Sequence, residues 1–307
     1  MSVVSMGELL IDFVAQESGV TVGEASGFQK APGGAPANVA VAVARLGVSS
    51  AFLGQVGDDP FGHYLADVLT AEGVDTSGLR FSDKARTMLA FVSLAADGER
   101  SFQFYRNPSA NMLMTPADVA YEVIDQHQIF HFGSITLIDA PERDATWAAV
   151  KHAQEKGLRI SYDPNLREAL WPGPDAARMG LLSGLDYAHI VKVSEEEVIF
   201  LTGTDDARSL WRDPTEIIVV THGAGGATLY TADAQYHQPG YRVTAVDTTG
   251  AGDSFVAALL VSLLEMGDHP DYDALLRFAN AVGAITTTER GAIPALPTRE
   301  QAEALLR

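Results

Sequence analysis

The chain has no cysteine. That excludes disulfides, thiolate metal sites and cysteine nucleophiles, and it suits a cytoplasmic protein. Long apolar runs are also missing: none reaches the ~18 residues a bilayer span requires. The opening MSVVSMGELL has neither a basic region nor a long apolar stretch, so no signal peptide is expected. Positive charge is scarce, with 21 Lys+Arg against 40 Asp+Glu and a net charge of −19. A field of that sign opposes nucleic-acid backbones and anionic membranes. It leaves room for one small anion, because local N–H groups and a metal ion can override it. There is no repeat, low-complexity segment or clear linker. No Gly-Lys-Ser/Thr loop follows a strand, and no Gly-x-Gly-x-x-Gly follows the first one, which weakens a nicotinamide reading.

What is present is ample apolar material, 47% of 307 residues, enough for one large α/β domain or two small ones. Strand-like and helix-like runs alternate. VVSMGE, SAFLGQV, QIFHFGS, LRISYD, AHIVKVS and EIIVVTHG read as strands, and Ala35–Leu46, Phe61–Glu72 and Pro141–Lys156 as helices. The alternation predicts a mostly parallel sheet covered by helices. Two segments interrupt it. Residues 12–31 hold the strand-like pieces GVTVG and SGFQKA. Thr87–Arg106 reads as a hairpin turning at Asp97-Gly98. Both are expected to build a small accessory sheet that serves as a lid.

Two glycine clusters stand before apolar helices. In AVDTTGAGDSFVAALLVSLLEM, Gly250-Ala251-Gly252-Asp253 precedes a run with helical apolar spacing. A helix N-terminus offers unpaired N–H groups and partial positive charge, and glycines let an anion approach closely. Asp253 is then either a helix cap or a chemical group. In KAPGGAPANVAVAVARLG, Gly33-Gly34 precede an Ala/Val helix in which Asn38 is the sole polar residue before Arg45. Such an Asn needs a partner, backbone or ligand. Asp12, in GELLIDF, is expected at the end of the first strand, where open α/β sheets hold ligands; it is either a turn residue or an acceptor for a diol.

Gly-Gly-x-x-x-Asn followed by a small-residue helix, and Asp-Thr-Thr-Gly-Ala-Gly-Asp-Ser-Phe near the C-terminus, together resemble the ribokinase-like (PfkB) carbohydrate kinases. The resemblance covers essentially the whole chain. It implies a three-layer ribokinase-like sandwich, a single kinase domain over 1–307 with lid strands from about 12–31 and 87–106. It implies transfer of the γ-phosphoryl group of ATP to a sugar hydroxyl, with Mg2+ as cofactor. Asp253 then looks like the general base, and the amides of Gly250, Ala251, Gly252 and Asp253 like an anion hole. The family's Asn-x-x-Glu element is matched by Ser194-x-x-Glu197, which keeps the Glu, an indirect Mg2+ residue, and replaces the Asn. Lys192, Glu197, Thr221, Gly223, Gly226 and Asn280 fall on the ATP side. Asp247, Thr249 and Gly291 resemble a monovalent cation site, which would add K+.

For the sugar, the resemblance assigns Asp12, Gly33, Gly34, Asn38, Phe104, Arg106, Asn165 and Arg167. Phe102, Phe104 and Arg106 share one strand face. GELLIDF, FQFYRNPSANM and DPNLREALW look like fructokinases, which implies fructose converted to fructose 6-phosphate. Asn111 departs from that pattern, where Asp is common. Two arginines also suit the carboxylate of 2-keto-3-deoxygluconate, and a non-catalytic sugar-binding regulator on the same fold is a reading of a different class. The expected partners are a small sugar, ATP and a second copy of the chain packed lid to lid.

Overall fold

The computed structural model describes residues 1–94 and 100–307. Its strands are β1 (Ser2–Met6), β2 (Leu10–Ser18), β3 (Phe28–Gly33), β4 (Ser49–Gly57), β5 (Leu79–Ser82), β6 (Leu89–Leu94), β7 (Arg100–Tyr105), β8 (Ile129–Gly133), β9 (Arg159–Asp163), β10 (Ile190–Ser194), β11 (Ile217–Thr221), β12 (Ala227–Tyr230) and β13 (Gln235–Gln238). The α-helices are α1 (Ala35–Arg45), α2 (Pro60–Ala71), α3 (Tyr121–Ile124), α4 (Glu142–Glu155), α5 (Pro174–Leu185), α6 (Glu195–Thr202), α7 (Ala251–Met266), α8 (Tyr272–Thr286) and α9 (Arg299–Leu305).

Nine strands form the main sheet in the order β13-β12-β11-β10-β9-β8-β1-β4-β5. Pairings from β5 across to β11 are parallel, and β11-β12-β13 is an antiparallel edge. Successive side chains of a strand face opposite sides, and the core divides accordingly. Val3, Ile129, Ile190 and Ile217 join one buried cluster with α1, α7 and α8. Val4, Phe130, Val191 and Ile218 join another with α4, α5 and α6. This is a three-layer ribokinase-like sandwich. Both faces are covered, so the central strands read as continuous apolar runs. In α1 every residue from Pro36 to Val43 is buried, as expected of a helix apolar on all sides; its alanines and valines permit close packing against α7. Among the described residues, no helix is long and apolar enough to cross a membrane.

The second sheet has the order β3-β2-β6-β7, as the two interruptions predict. Two details differ from expectation. GVTVG is loop, because β2 runs on from Leu10 to Ser18 and ends at Gly19, whose φ of 79° leaves the extended region. The first strand ends at Met6, so Asp12 lies inside β2, a strand of the lid, rather than at a main-sheet strand end. The Asp97-Gly98 turn lies outside the described residues.

Candidate active site

A cavity of about 190 Å³ opens where the C-terminal ends of the main-sheet strands meet the lid, the usual ligand position in open α/β sheets. The start of α7 forms one wall. Gly250 is its N-cap, in the left-handed region at φ 81°. A Cβ there would stand 3.0 Å from Cβ of Ala292, so only glycine suits the turn. Gly252 and Asp253 are the second and third helical residues, with no preceding turn to accept their N–H groups. The Ala251 N–H is directed to the Thr248 carbonyl at 3.3 Å, and Ala251 does not line the cavity. Asp253 does not cap the helix. Its carboxylate points across to α1, where Oδ2 accepts from Nδ2 of Asn38 at 2.7 Å. Burial pushes the Asp253 carboxyl up, and Asp163 adds to this; the Asn38 bond, Lys192 and Arg167 pull it down, leaving it at about 6. Asn38 is 4% exposed, and its Oδ1 is buried without a protein partner.

The diglycine lies opposite. Gly34 has φ 115°, and a Cβ on it would collide with the Glu8 carbonyl; one on Gly33 would collide with the Asp12 carboxylate. These contacts place Asp12 and Gly34 at the cavity, with Gly33 packed behind them. Glu8 also lines the cavity and was missed by sequence reasoning. It is 2% exposed, and its Oε1 accepts from the Ala35 N–H at 2.9 Å. Burial raises its carboxyl to about 7 against the backbone bonds that lower it; Asp253 raises it further and Arg167 lowers it. The available signal was a single carboxylate directly after the strand end, ahead of an apolar run.

Phe104, Asn165 and Arg167 reach the same cavity. Asn165 is held at φ 47°, a conformation Asn tolerates better than most residues. Arg106 is not in the cavity wall. Its Nε and Nη2 are buried with no partner among the described residues, within electrostatic reach of Glu142. The side chain of Phe102 is outside the described set. Asn111 is buried and donates from Nδ2 to Glu142 Oε1 at 2.9 Å. An Asp at 111 would set one carboxylate against another there, which gives the departure a local reason.

Lys192 carries the fixed positive charge. Its Nζ lies 3.1 Å from Asp163 Oδ2, both groups buried. Burial alone would lower its pKa, but Asp163 and Glu197 outweigh this and raise it, so the ammonium stays charged. It lies beside the α7 start: a Cβ on Gly252 would be 3.2 Å from Nζ. Glu197 has both oxygens engaged, Oε2 with the Ser194 N–H at 2.8 Å and Oε1 with the Leu166 N–H at 2.7 Å. Ser194 completes a capping box on α6. Glu197 therefore binds the Asn165–Arg167 loop to α6, and direct coordination of a metal would cost those two bonds. Among the described residues no cluster of three His, Cys, Asp or Glu side chains is arranged to hold a metal.

The remaining sites, Thr249 apart, lie outside the cavity wall. Thr221 ends β11, and the turn Gly223–Gly226 closes with His222 N–H to Gly226 O at 2.8 Å. Gly226, at φ 96°, passes so close to the 238–240 backbone that a Cβ is excluded. Asn280 is not solvated; its Nδ2 donates to the carbonyls of Gln238 and Pro239 at 3.0 and 3.2 Å. Asp247 Oδ1 accepts from Thr249 N and Oγ1 at 3.0 and 2.7 Å, and its Oδ2 from Gly291 N at 2.9 Å. The structure thus brings these three residues together and braces the loop before α7 against the 291 turn. Gly291 points its N–H, not its carbonyl, at the pair.

Comparison with known proteins agrees with this arrangement. Residues 1–299 match the pfkB family carbohydrate kinase. Fructokinase-1 of Oryza sativa subsp. japonica is 53% identical over 305 residues, spanning 96% of this chain and 94% of that protein. Fructokinase of Xylella fastidiosa, solved with bound ATP, superposes with a TM-score of 0.91 at 36% identity over 99% of this chain and 98% of its own. Fructokinase of Vibrio cholerae O395, solved with fructose, ADP and calcium ion, gives 0.89 at 38% identity over 100% and 99%. With the diglycine helix, the Asp253 helix and the lid all in place across that length, the chain belongs to the pfkB family of carbohydrate kinases.

Proposed function

We propose that this chain is an ATP-dependent fructokinase that forms fructose 6-phosphate. The observation that carries it is Asp253: buried, uncapped, tied to Asn38 and placed at the first-turn amides of α7. Its carboxylate accepts the proton of the sugar hydroxyl as that oxygen forms its bond to the γ-phosphorus of ATP. The bond from that phosphorus to the bridging oxygen breaks, and ADP leaves with the electron pair. The amides of Gly250, Gly252 and Asp253 and the Lys192 ammonium face the charge on the moving group. Fixed donors of this kind need no reorganisation. Mg2+ bound with the nucleotide would neutralise phosphate charge, and Glu197 would act on it only indirectly, through the 165–167 loop. Asp247, Thr249 and Gly291 are the residues that would neighbour a K+ ion, whose charge would strengthen the field of the anion-hole loop.

One observation favours a neutral sugar over 2-keto-3-deoxygluconate. The carboxylates of Glu8, Asp12 and Asp253 line the cavity, and among its described lining residues only Arg167 and Lys192 oppose them. Lys192 is already matched by Asp163. An acidic substrate would meet net like charge, whereas a polyol supplies donors that the Asp12 carboxylate accepts. The reaction takes place in the cytoplasm. The active form is a lid-to-lid homodimer. Phe13 stacks on Phe91 at 5.0 Å between centroids, with Phe28 and Tyr105 edge-on at 5.1 Å; Tyr105 is 60% exposed. An aromatic face of that kind calls for a cover.

The test is ATP turnover with fructose, ribose, glucose, 2-keto-3-deoxygluconate and adenosine, with the product position read by NMR. The reading requires the highest kcat/KM for fructose and phosphate on O6. Preference for the keto acid moves the assignment to that sugar, and no turnover with any of the five leaves a binding role.

A further inference from the structure

Helix α1 starts without a cap of its own. Its N-cap is Gly34, which has no side chain, and its first turn holds no acidic residue. Pro36 contributes no N–H. The Asn38 N–H is taken by the Gly34 carbonyl at 2.8 Å. Of the other first-turn amides, the Ala35 N–H is met by Glu8 Oε1 from the β1–β2 turn at 2.9 Å. Two features make this join more than a surface cap. Glu8 is buried and lines the cavity, and its carbonyl is packed on the Cα of Gly34 so closely that no Cβ fits. The two segments are therefore pressed together by backbone contact and tied by one charge-assisted bond.

Three residues beyond Ala35, one turn along the same helix face, stands Asn38. Its Nδ2 holds Asp253 Oδ2 at 2.7 Å. The links run in order from Glu8 to the Ala35 amide, along one rigid turn, to Asn38 and then to the base. We propose that Glu8 is a positioning residue that sets the height and rotation of the α1 start and so fixes where Asn38 holds Asp253. It touches neither reacting oxygen nor phosphorus in this role.

The inference rests on the fructokinase reading for its assay. Three variants separate the causes. Glu8→Gln keeps reach and an acceptor but loses charge. Glu8→Asp keeps charge but is one methylene short of Ala35. Glu8→Ala loses both. Displacement of a positioned group by about 1 Å costs on the order of 100-fold, so Glu8→Asp and Glu8→Ala should lose ~10- to 100-fold in kcat with little change in KM for ATP. Glu8→Gln should retain kcat within ~3-fold. With Asn38 no longer aligned, Asp253 loses a bond that lowers its pKa, so the acid limb of the kcat profile should move to higher pH in Glu8→Asp and not in Glu8→Gln. Asp163, Lys192 and Arg167 also face Asp253 and are unchanged in all three variants. In an Asn38→Ala background the Glu8→Asp penalty should shrink below ~3-fold. If Glu8→Ala does not fold, the Asp and Gln variants decide alone. Normal kcat in Glu8→Asp, a Gln variant as poor as Asp, or an undiminished penalty in the Asn38→Ala background each overturns the proposal. A wild type inactive on fructose overturns the fructokinase reading instead, and the same ratios are then taken with whichever sugar it phosphorylates.

Discussion

Asp253→Asn should lose activity and gain stability together. The substitution preserves shape, and the Asn side-chain oxygen can still accept from Asn38 Nδ2, 2.7 Å away in the wild type. It removes the only group in this position able to take the hydroxyl proton. General base catalysis is typically worth ~10²–10⁴-fold, so kcat should drop by that factor while KM for fructose changes little. The stability change follows from the same burial. The carboxyl rises from an ordinary 3.8 to about 6 in the folded protein. At ~1.4 kcal/mol per tenfold, that difference is on the order of 3 kcal/mol. Its sign is fixed by linkage. Between pH 3.8 and 6 the folded state holds a proton that the unfolded chain has released, so wild-type stability is full below this window and falls as pH rises through it. At pH 7.5 the buried charge is a net cost, only partly offset by Asn38, Lys192 and Arg167, that asparagine lacks. Thermal melts at pH 7.5 should place the variant several degrees above wild type, and the gap should close near pH 4. The kcat/KM of the wild type should rise with pH through about 6. Near-normal turnover in Asp253→Asn refutes the base assignment; a variant that melts lower at pH 7.5 refutes the electrostatic argument.

Lys192→Met should destabilise by ~3–5 kcal/mol, the cost of leaving a buried partner charge unpaired, and adding Asp163→Leu should recover much of it without restoring turnover; denaturant melts and steady-state kinetics check both. Gly34→Ala should abolish fructose-induced stabilisation, because a Cβ at φ 115° meets the Glu8 carbonyl backbone, which cannot move aside; differential scanning fluorimetry with and without fructose reads it. Phe91→Asp should convert a lid-paired dimer to a monomer in light scattering at micromolar concentration, by removing a stacked ring and burying a charge in its place; an unchanged mass excludes this face as the contact.

The architecture was legible because buried parallel strands and all-apolar helices leave strong patterns. Val3 and Val4 must face opposite layers, and they do. The lid was legible as two interruptions, but its edges were not. Strand propensity favoured GVTVG, while pairing to β3 and β6 extended LIDFVAQES instead; a long-range partner overrode a local preference. The same effect moved Asp12 off the main sheet. At the site, glycines and Asp253 announced themselves by type and order. Glu197 and Asp247 were named as ion residues, yet both oxygens of each accept from backbone or hydroxyl donors. Sequence gives the carboxylate but not which donors already occupy it. For Glu8 the only local hint was a lone carboxylate just past the first strand; its role arises from a contact 27 residues away, which no local spacing reveals.

A protein of net charge −19 that handles ATP needs its positive potential to be local. In the proposed reading Lys192 and the first-turn amides of α7 meet the phosphates and Asp12 meets the sugar, and all of them line one cavity. Burial is the main cause that raises the base, and the Asn38 bond, Lys192 and Arg167 limit the rise. At about 6 Asp253 is ionised at neutral pH yet remains basic enough to share a proton in the transition state. That compromise costs stability, and Glu8 and Glu142, both raised to about 7 mainly by burial, cost more as pH rises from 4.5. Each could be replaced by an amide to make a sturdier protein. Their retention is explained by what an amide cannot do: Asn at 253 accepts no proton. Glu8 is different, since its proposed task needs an acceptor and reach rather than a charge. The Gln variant at 8 should therefore be both active and more stable at pH 7.5, whereas Asn at 253 should be stable and inactive.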